Sequence, residues 1–348
     1  MLTEEFNYLL PEDLIASTPC SIRDHSRLMI LKKNDSSISH NMFFDILEHL
    51  NSGDVLVFND TKVIPARLIG KKVGGGAEVE TLLLKRIKEN IWQCLVRPAK
   101  RLKKGHVVDY GDLCKGEILE EFEDGSRTIE FLCKEQFSKV LESIGEVPLP
   151  PYIVEQLSQE QLRDKTLIER YQTVYAKNEG ASAAPTAGLH FTDEILLRIK
   201  QKGIEIVFVT LHTGVGTFRP VTVDRIEDHQ MFCEEYFIEK DSADRINRAK
   251  QEKRRVIAVG TTATRTLEDN FKKNGTIKEG HFEADIFMYP PYNFNVVDAL
   301  ITNFHFPKST LLMLVSAFAG KDFVMSAYKE AVLRKYRFFS FGDAMMII

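Results

Sequence analysis

Four histidines stand where an imidazole could move protons: His190, His212, His229 and His305. Each lies beside small or polar residues at the expected end of a strand or start of a helix. A free imidazole titrates at about 6.5, so it can take and give protons near neutral pH. His190 closes the stretch Gly180-Ala181-Ser182-Ala183-Ala184-Pro185-Thr186-Ala187-Gly188-Leu189-His190-Phe191. That stretch holds almost no large apolar side chain until its end, so it suits neither a core strand nor a core helix. Gly, Ala, Ser, Thr and Pro permit close backbone approach and unusual dihedrals, which fits a loop wrapped around a ligand. Thr186 and Gly188 are its candidate contacts. A second loop, from Leu211 to Phe218, has the same character and carries His212, Gly214, Gly216 and Thr217. The two loops are expected to form the floor of one active site.

Other chemistry-bearing residues surround this pair of loops. Glu234, five residues after His229, is either a carboxylate partner or a surface residue of a strand. Arg265 follows Gly260 by one helical turn. Its planar fork could hold a carboxylate or phosphate, or form a helix salt bridge. No metal is expected: the sequence has no His-Glu-x-x-His, His-x-x-x-His or Cys-x-x-Cys spacing. It also lacks the Gly-x-Ser-x-Gly elbow, the phosphate-binding Walker loop and the full Gly-x-Gly-x-x-Gly fingerprint. Those absences weaken the hydrolase, nucleotide triphosphatase and dinucleotide-binding readings.

The elements that must position these residues follow from length and patterning. A chain of 348 residues should hold roughly two domains. Its 44% hydrophobic and 28% charged content is that of a globular protein. A net charge of −4 means that any nucleic-acid contact must come from a local basic patch. The five scattered cysteines read as reduced thiols. The start of the chain has no secretory pattern, and no run reaches about 18 apolar residues. A cytoplasmic protein with no membrane span is expected.

The fold class read from the pattern is an α/β main domain, residues 1–65 and 151–348, with an inserted small antiparallel β-barrel domain, residues 66–150. In the main domain, apolar runs end in polar loops. Val55-Leu56-Val57-Phe58 leads to Asn59, Asp60 and Thr61. Ile204 to Leu211 leads to His212, Val256 to Gly260 leads to a helix, and Ala299 to Thr302 leads to Asn303 and His305. Such strand ends are where α/β folds gather ligand contacts. A helix capped by Thr192, a helix capped by Ser309, an amphipathic helix with Phe44, Leu47 and Leu50 on one face, and a strand from Ala284 to Tyr289 are also expected. Tyr336-Arg337-Phe338-Phe339 reads as core or as a base-stacking surface. From Arg67 to Cys133, short β-rich runs alternate with turns, including the hairpin signal Asp124-Gly125. The run Arg97-Pro98-Ala99-Lys100-Arg101-Leu102-Lys103-Lys104 carries five basic residues and no acid, either a solvated turn or a phosphate-contact patch.

Several long motifs resemble the S-adenosylmethionine:tRNA ribosyltransferase-isomerase family of queuosine biosynthesis. They are Ala183 to Phe191, Asn59-Asp60-Thr61-Lys62-Val63-Ile64-Pro65-Ala66-Arg67, Leu95 to Lys100, Thr210 to Phe218, Thr302 to Leu311, and Tyr336 to Met345. The match covers essentially the whole chain in order. The resemblance implies transfer and isomerisation of the ribosyl group of S-adenosylmethionine onto 7-aminomethyl-7-deazaguanine (preQ1) at the wobble position of tRNA. Epoxyqueuosine would form, with release of adenine and methionine. It implies a metal-free cytoplasmic monomer whose partners are S-adenosylmethionine and tRNA.

Within that resemblance His190, His212 and His305 are the candidate proton carriers, with Glu234 as a catalytic carboxylate. Thr186, Thr217 and Asn303 would hold hydroxyls and ring nitrogens. Arg265 or Arg337 would hold the methionine carboxylate or a phosphate. Asn59, Asp60, Thr61, Arg67, Gly188, Gly214, Gly216 and Asp343 complete the substrate-binding set, and Arg97, Lys100, Arg101, Lys103 and Lys104 would meet tRNA. Three positions depart from the family pattern: Thr213 for Val, Phe232 for the second histidine of His-x-Met-His-x-Glu, and Pro291 for the glycine of Pro-Gly-Tyr. A methyltransferase, which would release S-adenosylhomocysteine, and a non-catalytic RNA-binding protein are the two rival readings.

Overall fold

The computed structural model describes residues 1–162, 164–214, 221–231 and 233–348. The expected contacts of Gly216 and Thr217, and the departure at Phe232, therefore lie outside the described residues. In chain order, β1 (Arg27–Lys32), β2 (Ser37–Met42) and β3 (Val55–Asn59) come first, followed by β4 (Thr61–Val63). Next are β5 (Arg67–Lys72), β6 (Glu78–Arg86), β7 (Ile91–Arg97), β8 (Val107–Asp109), β9 (Cys114–Glu121) and β10 (Ser126–Cys133). After β11 (Asn178–Ala181) come β12 (Glu205–Leu211), β13 (Glu234–Ile238), β14 (Val256–Val259), β15 (Gly280–Ala284), β16 (Ala299–Asn303) and β17 (Ala344–Ile347).

The larger of two compact units comprises Met1–Thr61, Pro151–Lys177 and Pro185–Ile348. Its nine-stranded sheet runs β15-β13-β12-β3-β14-β16-β17-β1-β2. β12, β3, β14 and β16 are mutually parallel, so their C-terminal ends finish on one edge. β17 runs antiparallel to β16 and β1 runs parallel to β17, so both start on that same edge. β13, antiparallel to β12, starts there too. The edge therefore reads Glu234, Leu211, Asn59, Val259, Asn303, Ala344 and Leu28 from strand to strand, at about 4.8 Å per step.

The apolar runs explain the central strands. β3, β14, β16 and β17 are buried along their whole length, as sheets covered on both faces require. One face packs Leu56, Phe58, Ile206, Ile257, Ile301 and Met346 against Phe191, Ile195 and Ile199. Ile195 and Ile199 come from the helix Asp193–Gln201, where the Thr192 hydroxyl accepts the Ile195 N–H as an N-cap. Ser309 caps Thr310–Ala319 in the same way, accepting from the Leu312 N–H. Among the described residues no single helix is long and apolar enough to cross a membrane.

Three local expectations are corrected. Phe43–His49 is a 3-10 helix, so its buried residues fall at Phe43 and Ile46, three apart, while Phe44 faces out. The strand expected from Ala284 to Tyr289 ends at Ala284 and instead begins at Gly280, in register with β13. Tyr336, Phe338 and Phe339 are buried core residues, so the base-stacking alternative falls away.

The second unit comprises Lys62–Pro150 and Asn178–Ala184. It is a closed antiparallel barrel in the order β10-β7-β6-β5-β8-β9. Alternate residues such as Val79, Thr81 and Leu83 of β6 point inward. The Tyr110 hydroxyl meets Thr81 Oγ1 at 2.6 Å inside the barrel. Gly70 makes that possible, because a Cβ there would sit 2.7 Å from the Tyr110 ring. Gly125, at φ +88°, forms the Asp124-Gly125 turn. Residues 178–184, read from sequence with the main domain, join this unit. The Ile64 N–H donates to Ala181 O, and Ser182 Oγ donates to Leu83 O. The expectation of five reduced thiols is also corrected: Cys114 and Cys133 face each other across β9 and β10 and form a disulfide.

Candidate active site

Pro185 to Phe191 crosses the polar edge of the larger sheet as a tight 3-10 turn, Thr186–His190. Phe191 anchors it, packing edge-on against Phe43 and Phe58 with centroids 5.0 and 4.9 Å away. Gly188 can only be glycine: a Cβ there would lie 1.9 Å from the Tyr175 hydroxyl. His190 is left buried and stacked on Phe43, centroids 5.0 Å apart.

The partners of His190 set its proton. Thr186 Oγ1 donates to Asn303 Oδ1 at 2.9 Å, which turns the Asn303 amide nitrogen toward His190 Nε2, 3.1 Å away. Facing a donor, Nε2 must accept. The ring proton is therefore on Nδ1, 2.7 Å from Ser26 Oγ. A second proton on Nε2 would point at the amide NH2. Burial pushes His190 down to about 3, and the charges of Arg23 and Arg337 push the same way. His190 is thus a neutral, oriented hydrogen-bonding group at neutral pH.

His212 is set differently. It follows β12, half-buried, with Nδ1 2.8 Å from Thr61 Oγ1. Burial lowers its proton affinity, but Glu235 and Asp60 oppose that by favouring the imidazolium. Asn59 locks the strand ends together. Its amide donates to Leu211 O and Thr262 Oγ1 and accepts from the Leu211 and Thr61 N–H groups. Asp60 accepts from Thr210 Oγ1 at 2.5 Å and borders a cavity of about 220 Å3. Tyr175, Phe208, Phe237 and Arg245 share that cavity.

Other expected residues lie apart. Asn303 and Thr302 point to opposite faces of β16 by the two-residue period of a strand. His305 follows Thr302, with Nε2 2.9 Å from Thr302 Oγ1. Its backbone is gripped by the Tyr8 and Tyr328 hydroxyls. Burial pushes His305 down to about 3. The structure therefore does not bring the three histidines to one point. His190 lies over β16 and β1, and His212 stands three strands from β16. His229 packs edge-on beside Phe287, centroids 5.4 Å apart.

Glu234 pairs with Arg265 in a buried ion pair and also accepts the Gly214 N–H at 3.3 Å. Arg265 further donates to Ala284 O. The pair thus holds the start of the second loop. Asp343 accepts from the Arg27 and Arg337 backbone N–H groups and from Arg27 Nε. Arg337 donates to Thr18 O. Arg67 belongs to the barrel unit, in ion pairs with Glu80 and Glu146. Arg97, Lys100, Arg101, Lys103 and Lys104 are all exposed on that unit, and Lys103 also meets Glu121 at 3.1 Å. Pro291 follows a cis Pro290-Pro291 bond. The sequence reading missed Ser26, Phe43, Thr210, Thr262 and the cavity residue Tyr175. Ser26 had a visible signal, a polar cluster just ahead of a strand. Among the described residues no group of three or more His, Cys, Asp or Glu side chains is arranged to hold a metal ion.

The family described as queuosine biosynthesis protein matches residues 3–347. The S-adenosylmethionine:tRNA ribosyltransferase-isomerase of Desulfitobacterium hafniense is 54% identical over 349 residues, covering 100% of both chains. That of Clostridioides difficile is 51% identical over 348 residues, again covering 100% of both. The crystal structure of the S-adenosylmethionine tRNA ribosyltransferase of Thermotoga maritima is 39% identical, with a TM-score of 0.56. The match covers 99% of this chain and 100% of that one.

The buried state of His190 has a measurable consequence. An imidazole that titrates at 6.5 when unfolded and at about 3 when folded stabilises the fold fully only above the higher value. Stability is lost as pH falls between the two, by up to about 1.4 kcal/mol per unit. Replacing His190 by glutamine should shrink the loss between about pH 6.5 and 4.5 by about 2 kcal/mol in urea unfolding. Equal losses in both proteins would contradict the assignment.

Proposed function

The chain belongs to the queuosine biosynthesis protein family, and from that we infer that it is an S-adenosylmethionine:tRNA ribosyltransferase-isomerase. It moves the ribosyl group of S-adenosylmethionine onto preQ1 in the wobble position of tRNA and isomerises it, giving epoxyqueuosine, adenine and methionine. The observation that supports a mechanism best is the contrast between two histidines on one polar sheet edge. His190 is fixed and neutral, while His212 is half-buried with two carboxylates favouring its charge.

The sulfonium of S-adenosylmethionine acidifies the neighbouring ribose C5′ protons. Of the three histidines expected to carry protons, we assign the transfer to His212, oriented by Thr61 and held charge-competent by Asp60 and Glu235. His190, Asn303 and Thr186 orient the sugar by hydrogen bonds. The Asp60 cavity, with the aromatic faces of Tyr175, Phe208 and Phe237, takes the adenine. Glu234 and Arg265 position the His212 loop. His305 supports the edge from the opposite face of β16. The exposed basic run of the barrel meets the tRNA backbone. We assign the enzyme to the cytoplasm, as a monomer.

Incubation with S-adenosylmethionine and preQ1-bearing tRNA, followed by nucleoside mass spectrometry, tests the reaction. Epoxyqueuosine should appear with adenine and methionine in equal amounts; S-adenosylhomocysteine in their place would overturn it. In the same assay His212→Ala should lower the single-turnover rate about 10²–10⁴-fold. A rate within about tenfold of wild type would remove His212 from the chemistry. Neutralising Lys100, Arg101, Lys103 and Lys104 should weaken tRNA binding and reduce the slope of log affinity against log salt by about one for each phosphate that the variant no longer neutralises. An unchanged slope would move the RNA interface elsewhere.

A further inference from the structure

Beside His190 the larger unit carries positive charge that no ion pair among the described residues answers. Arg23 and Arg170 border a small cavity, about 20 Å3, together with Cys20, Ser26 and His190. Each guanidinium is held by backbone carbonyls. Arg170 donates to Cys20 O at 2.7 Å and to Ser21 O at 2.9 Å. Arg23 donates to Leu189 O at 3.1 Å, with longer bonds to the Glu169 and Arg170 carbonyls. The bonds cross, each side chain tying down the backbone next to the other. Carbonyl oxygens orient a guanidinium but leave its charge in place. Among the described residues neither arginine makes a salt bridge; burial and the neighbouring Arg170 disfavour the charge of Arg23, and Tyr175 and Asp193 oppose them from a distance.

Two like charges kept close and partly out of water are unfavourable until an anion joins them. Here both forks are already fixed, so an incoming anion would not have to order them. The cavity admits about one oxygen atom.

We propose that Arg23 and Arg170 form an oxyanion socket beside His190 that receives one oxygen of a substrate carboxylate or phosphate. The inference rests on the proposed reaction for its two sources: the methionine carboxylate of S-adenosylmethionine and a phosphodiester of the tRNA. An anion there would also offset the charge of Arg23, which adds to burial in keeping His190 neutral.

Arg23→Gln and Arg170→Gln test the socket, with Arg170→Lys as the charge-retaining control. Each variant's affinity is measured for S-adenosylmethionine, for its decarboxylated analogue and for tRNA over a range of salt. If the carboxylate is the ligand, wild type prefers S-adenosylmethionine over the analogue by about tenfold or more. That preference collapses towards one in the glutamine variants, while tRNA binding holds. If a phosphate is the ligand, the preference is unchanged, tRNA binds about tenfold more weakly, and the salt slope falls by about one. Arg170→Lys keeps part of either effect. Both readouts are comparisons within one protein, so partial misfolding does not imitate them. Glutamine variants with wild-type preference and wild-type salt slope would overturn the socket. Failure of the wild-type enzyme to bind either substrate would count against the proposed reaction instead.

Discussion

The site depends on one topological constraint. Four parallel strands, β12, β3, β14 and β16, finish on the same edge, and the flanking antiparallel strands begin there. Residues far apart in sequence, from Ser26 to Asp343, are thereby set in a row at strand spacing. The backbone groups freed at those ends need partners, and Asn59, Asp343 and Glu234 supply them. The polar residues at the edge are therefore partly structural, and the same bonds fix the orientation of the side chains that stand there.

That edge is tuned unevenly. At one end His190 is sandwiched between Ser26 and Asn303, with Thr186 fixing the amide that faces it. A donor on one side, burial and nearby arginines all disfavour its charged form. Three strands away His212 keeps more access to water and has Asp60 and Glu235 on its side. Identical side chains thus acquire different proton affinities from their burial and their neighbours.

Much of this was legible in the sequence because it is written locally. Thr192 and Ser309 announce helix starts by their capping oxygens, Asp124-Gly125 announces a hairpin, and apolar runs ending in Asn59, His212 and Asn303 announce buried strands with polar ends. What escaped was non-local. Glu234 and Arg265 meet only because β13 and the helix after Gly260 come together, so one carboxylate and one guanidinium form a buried ion pair. His305 shares a loop with Asn303, yet strand alternation sends its partner Thr302 to the other face. Residues 178–184 read as part of the His190 loop but pair with the barrel unit. The Cys114–Cys133 pairing depends on strand register, which spacing in the chain does not reveal.

The division between the two imidazoles can be observed directly. Nitrogen NMR of histidine-labelled enzyme, followed over pH, reports charge and tautomer at each ring. His190 should remain neutral with its proton on Nδ1 well below pH 6, and His212 should gain its proton at a higher pH than His190. A His190 that titrates at or above His212, or that carries its proton on Nε2, would contradict the roles assigned to both.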